Sequence, residues 1–467
     1  MDQKRIENYF SEHEKEMLRD ICTLVRIPSD KGEAKEGMPY GEGPAKAMEA
    51  AAKLAESHRF SVGRHGNRVI TIDLNGKPRQ LDILAHLDVV PGGNGWTVTQ
   101  PFEPLLKGGR LYGRGAADDK GPAVAALYAM MAVRDLGVPL TKNARLVLGG
   151  DEECGSSDMA YYYQHEPEAP MTFSPDAAFP VINIEKGRFG TWVKAGWEEA
   201  FSLPRIVSAH GGVKNNVVPD TAEAVLEGIA AAEASACARR SEEKTGVKFE
   251  LRGQGETIRV TAHGSCAHAS TPGGGNNAVT GLITFLTGLP LPKSESLRAL
   301  RSLNALFPHG DWSGTAAGVA MRDEISGDLT LALDLFEYGP TGLKAYFDGR
   351  TPVCATNENL RDKFFARAAE LGLNVEKTEV SPAHHVPADS PFVRTLLRCY
   401  EQYSGRKGEC VAIGGGTYCH HLKNGVGFGC SMPGTENRMH GADEFAVVKE
   451  LLLGAEIFAQ AIIDLCS

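Results

Sequence analysis

Five short segments of this 467-residue chain carry side chains able to hold metal and move protons. They are His86 and Asp88 in "LAHLDVVPGG", Asp118 and Asp119 in "LYGRGAADDKGP", Glu152 and Glu153 in "LVLGGDEECGS", Asp176 in "FSPDAAFP", and His440 in "NRMHGADEF". The first four lie where strand-like runs stop. In an extended chain His86 and Asp88 point to one face. Each segment alone has an ordinary explanation: a hydrogen-bonded histidine, a helix-capping aspartate, a solvated acidic turn. Gathered at one sheet edge, however, the carboxylates would repel one another and take up protons unless a cation lay among them. Three carboxylates and a bridging hydroxide balance two divalent ions, with two neutral imidazoles completing the shells. That donor set suits zinc, with manganese or cobalt as alternatives because most ligands are carboxylates. Two ions about 3.5–4 Å apart would bring bound water to a pKa of about 7 and polarise a carbonyl.

These side chains need elements that bring them together. Residues 5–23 read as a helix, 68–74 and 81–87 as strands across the turn "NGKPRQ", 119–136 as a helix stopped by Gly137, and 144–150 as a buried strand. After Lys186 the pattern changes to period two. "LTLALDLFEYGPTGLKAYFDGR" predicts a hairpin turning at "YGPTG", and helices are expected at 276–288 and 357–371. From about Val386 the α/β pattern returns, with helices at 391–404 and 443–465 around a glycine loop and a strand near "VGFGC". The fold class expected is α/β: a mostly parallel sheet flanked by helices, built from residues 1–186 and 385–467, and interrupted by an inserted α+β domain at 187–384. Ligands gather at the carboxyl ends of strands in such sheets, so the five segments can converge.

The bulk composition narrows the function. Net charge is −10, and no stretch is dense in Lys and Arg, which argues against a nucleic-acid partner. The longest apolar run, residues 121–133, is too short to span a bilayer, and the charged N-terminus lacks the apolar core of a secretory signal. The ten cysteines form no CxxC pair and read as reduced thiols, so a cytoplasmic location is expected. No glycine-rich stretch continues into Gly-Lys-Ser/Thr, which leaves no nucleotide phosphate loop.

Taken in order, "HLDVVP", "LYGRGAADDKG", "GDEE", "SPDA" and "MHGADE" resemble the co-catalytic metallopeptidases that include PepV-type dipeptidases, carnosinases, succinyl-diaminopimelate desuccinylase and acetylornithine deacetylase. The resemblance implies His86, Asp118, Glu153, Asp176 and His440 as metal ligands, with Asp118 bridging, Asp88 orienting His86, and Glu152 as general base to a metal-bridging hydroxide. It also implies that the inserted domain is a lid. Its His268, in "VTAHGSCAHASTPGGGNNA", would hold the transition-state oxyanion, with Asn216 as a further contact. Arg350 in "YFDGRTP" would clamp a substrate carboxylate, and the N–H groups of the "GGGT" loop around Gly415 are a second candidate for that carboxylate, with a simple tight turn as the alternative. The long insertion resembles the PepV-type lid, in which one chain supplies the whole site. The expected activity is therefore hydrolysis of dipeptides by a chain competent as a monomer. An N-acyl amino acid deacylase or aminotripeptidase on the same site is the first alternative. A non-catalytic metal-binding or interaction protein is the second, although no ligand or base is missing.

Overall fold

The computed structural model describes residues 3–254 and 256–467, except for the side chain of Gln254. It divides into two compact units. One comprises the chain up to Ile184 together with His385–Val411 and Gly416–Ser467; the other comprises Glu185–His384 and the short piece Ala412–Gly415. Each has its own apolar core.

In the first unit the strands run Val62–His65, Val69–Asp73, Asn143–Gly149, Arg79–His86, Met171–Ser174, Gly425–Gly427 and Val181–Glu185 across one sheet. The parallel pairings are confined to its centre. Arg79–His86 is parallel to both neighbours, and Gly425–Gly427 is parallel to Met171–Ser174. The outer pairings are antiparallel. The central strands read as continuous apolar runs because both faces are covered. Leu81 to Leu87 is buried throughout: Lys120–Asp135 and Val448–Cys466 cover the face of Leu81, Ile83, Ala85 and Leu87, and Met159, Tyr162, Tyr418 and Leu422 pack with Leu84 on the other. Parallel pairing aligns carboxyl ends: His86 is in register with Gly149, and Ile83 with Phe173. The chain leaving each strand therefore emerges on the same edge, which is why residues 86–88, 151–153 and 176 meet.

The second unit is an eight-stranded antiparallel sheet ordered Lys248–Gln254, Thr257–His263, Thr221–Glu227, Arg205–Gly211, Thr330–Gly339, Gly342–Thr351, Gly187–Gly196 and Asn374–Val375. Helices including Ala231–Thr245 and Ala278–Thr287 pack against it. The expected hairpin pairs Gly339 with Gly342, and a bulge falls between Leu333 and Leu335. The helix expected at 357–371 starts as a wide turn at Asn357–Arg361 and becomes α-helical at Asp362–Glu370. The last helix begins later than expected, at Val448, because Phe445–Val447 is spent pairing with Arg110–Tyr112. Among the described residues no helix is long and apolar enough to cross a membrane.

Candidate metal centre

His86 ends its strand fully buried. Its Nδ1 lies 3.0 Å from the Asp88 carbonyl oxygen, which can only accept, so Nδ1 carries a proton. The Nε2 lone pair then faces Asp118 Oδ1 at 2.9 Å and Asp176 Oδ2 at 3.7 Å. A lone pair against two carboxylates is repulsive unless a proton or a metal ion lies between. Although burial alone would lower it, the bonds to Asp118 and Asp88 and the nearby Asp176 push the imidazole pKa well above its ordinary value. The other oxygen of Asp118 reaches His440 Nε2 at 3.0 Å, and His440 Nε2 is also 3.1 Å from Glu153 Oε1. Those two carboxylates raise the His440 pKa to about 10. His440 holds a φ of 62°, a left-handed conformation that costs a non-glycine residue of order 1 kcal/mol and aims its ring at the two acids.

The remaining acids are crowded. Burial first, then the Asp118 charge, pushes Asp176 up to about 7. Burial, with Asp176, Glu153 and Asp118 adding repulsion, raises Glu152 well above the usual range. The ligand atoms of His86, Asp118 and Glu153 lie within 4.8 Å of one another, and so do those of His86, Glu152 and Asp176. Two imidazoles and four carboxylates this close are a donor set that divalent cations would neutralise, so the residues fit a two-metal site.

Two supports make contacts beyond the sequence expectation. Asp88 touches His86 mainly through its backbone carbonyl. Its carboxylate, 3.5 Å from Nδ1, accepts the N–H groups of Glu152 and Glu153 at 3.1 Å each, and so braces the acidic turn Glu152–Cys154. Asp119 stands at the N-cap of the helix from Lys120 without capping it, and accepts the His86 N–H at 3.0 Å.

Glu444 was not anticipated at all. Fully buried, it accepts N–H groups from Gly115, Ala117 and Asp118 at 2.9, 3.1 and 3.3 Å and pairs with Arg114 at 2.5 Å. Arg114 also donates to the Gly441 carbonyl at 3.1 Å. The segments carrying Asp118 and His440 are thereby tied together. The one available signal was the last letter of "MHGADE".

In the second unit, pairing of Val217–Val218 with Ala267–His268 brings Asn216 beside His268, and the Asn216 carbonyl accepts the Ala269 N–H. Arg350 is buried. Asp348 takes its Nε and Nη2 at 2.7 and 2.8 Å, and Nη1 donates to the Gly414 carbonyl. The guanidinium edge best suited to clamp a carboxylate is thus occupied by Asp348. Gly415 sits in the same short piece of chain. The helical turn after it, Tyr418–His421, is capped by Thr417 itself.

The profile of the peptidase family M20/M25/M40 matches residues 83–464. YtjP of Bacillus subtilis (strain 168) is 35% identical over 96% of this chain and 97% of its own length. The Beta-Ala-Xaa dipeptidase of Lactobacillus delbrueckii subsp. lactis is 32% identical over 96% of each. The crystal structure of human carnosine dipeptidase 1 shares the fold, with a TM-score of 0.59 at 14% identity, covering 100% of this chain and 99% of that one.

Proposed function

Because the chain belongs to peptidase family M20/M25/M40, we propose that it is a metal-dependent dipeptidase, cleaving the peptide bond of dipeptides with a free amino end. The observation that carries the reading is Asp118, whose two oxygens face His86 on one side and His440 on the other. In this reading His86, Asp118 and Asp176 hold one divalent ion, and Asp118, Glu153 and His440 hold the second. Zinc suits the donors first, with manganese or cobalt as alternatives. When bound, the ions supply an acidified water and a polarised scissile carbonyl.

The chain's own residues do the rest. Glu152 takes the water proton and returns it to the leaving amine. His268 donates to the developing oxyanion, with Asn216 beside it. Arg350 meets the substrate carboxylate through the hydrogens Asp348 leaves free, and the Gly415 N–H assists. The long insertion resembles the PepV-type lid, and on that resemblance the active form is read as a monomer. The dipeptide substrate agrees with the name of the Lactobacillus relative, a Beta-Ala-Xaa dipeptidase.

The test is Glu152→Gln with metal content measured in parallel. Both ions should be retained while turnover of a free dipeptide falls about 10²–10⁴-fold. Normal turnover with both metals present would remove Glu152 from this role. N-acetylated dipeptides and tripeptides, run alongside, decide among dipeptidase, deacylase and aminotripeptidase: a dipeptidase loses most activity when the amine is blocked.

A further inference from the structure

The second unit holds a contact whose geometry concerns the state of His268. Ser270 donates its backbone N–H to His268 Nδ1 at 3.1 Å, and its hydroxyl lies 2.7 Å from the same atom. A nitrogen that accepts an N–H carries no proton itself, so the proton of the neutral ring is on Nε2. The turn that makes this bond rests on Gly414. A Cβ built on Gly414 would lie 2.4 Å from Ser270 Cβ and 3.4 Å from Ser270 Cα. Ser270 Cβ is fixed directly to the backbone, so no rotamer change relieves such a clash. The turn 268–271 would have to move. At the same residue, the Gly414 carbonyl accepts from Arg350 Nη1. One glycine therefore packs on Ser270, the partner of the imidazole, and bonds the guanidinium directly.

We propose that Ser270 and Gly414 are positioning residues: Ser270 fixes His268 as the Nε2–H tautomer, and Gly414 sets the depth at which that ring sits. The proposal rests on His268 being the oxyanion donor, as assigned above. An Nε2–H donor needs Nδ1 occupied by a donor from the protein, and Ser270 supplies it. A glycine is required at 414 because any side chain there would meet Ser270 Cβ and shift the turn that carries the ring.

Two measurements test it. In metal-loaded protein labelled with ¹⁵N-histidine, long-range ¹H–¹⁵N correlation should give His268 an unprotonated Nδ1 and a protonated Nε2. The opposite tautomer would overturn the proposal whatever the enzyme's activity. In kinetics, Gly414→Ala should lower kcat about 10²-fold, the scale expected of a donor displaced by about 1 Å, with KM and metal content little changed. Ser270→Gly keeps the N–H and should cost less than about tenfold. The double variant Gly414→Ala/Ser270→Gly removes the clashing Cβ and should recover to the Ser270→Gly level. Wild-type turnover in Gly414→Ala, or a double variant no faster than Gly414→Ala, would sink the role given to Gly414. If the wild-type protein hydrolyses no dipeptide, the functional reading fails, while the tautomer measurement still decides the role of Ser270.

Discussion

Asp88 shows how much of a metal site lies in groups that touch no metal. Its two oxygens accept the N–H groups of Glu152 and Glu153 while one of them also lies 3.5 Å from His86 Nδ1, so its charge steadies the acidic turn and the imidazole together. Asparagine is nearly the same size but turns one acceptor into a donor, which would then face an N–H. Asp88→Asn should therefore weaken zinc binding by about 10–100-fold, the usual cost of losing a supporting carboxylate, and lower turnover in step. Calorimetric zinc titration of the folded variant checks this, and unaltered affinity would show that the turn holds itself. The residue types that gather at the candidate centre were legible in the sequence because histidine and acid at the ends of apolar runs are a local pattern. The supports were only partly so. Glu444 meets Gly115 across more than three hundred residues, which no local pattern reveals, whereas Asp348, two places before Arg350 on one strand face, lay within reach of the alternation.

At the scale of elements, the strands that converge on the centre were readable from continuous apolar runs, and the central parallel pairing followed from alternation with helices. Element ends were less legible, because pairing partners far along the chain decide them, as Phe445–Val447 shows. The packing of the first and last helices carries its own cost. Glu456, on Val448–Cys466, is pushed up to about 7 by burial and then by Glu7 on Gln3–Val25. A carboxylate with a raised folded-state pKa favours folding while protonated. That contribution is fully present below its unfolded value of about 4.5 and is lost as pH rises through about 7. Glu456→Gln, a neutral mimic of the protonated acid, should thus leave the melting temperature unchanged near pH 4.5 and raise it by about 1–2 °C at pH 8. Calorimetry at the two pH values checks it, and an equal effect at both would mean that titration of Glu456 is not the cause.

Across the whole molecule, the two apolar cores share no residues. Ile6 to Cys466 of the first cluster all belong to the unit that carries the acids, and Phe189 to Leu373 of the second all belong to the inserted one. Each core can therefore melt as its own cooperative block, and a divalent ion bound by residues of one unit stabilises that unit. Without cations, the carboxylates of Asp118, Glu152, Glu153 and Asp176 repel one another inside it, and protons are the only other relief. Cation binding at a free concentration about 100-fold above Kd adds roughly 2.7 kcal/mol per site to the native state. Chelation at pH 7.5 should accordingly lower the transition of the first unit by several degrees and leave that of the second in place. A single calorimetric peak in the loaded protein would then split in two. Lowering the pH should narrow the split, because protons replace the missing cations on the raised carboxyls, of which Asp176 titrates at about 7. Two transitions that moved together on chelation would mean that the cations stabilise both units, and the separation of cores would then not govern how this protein unfolds.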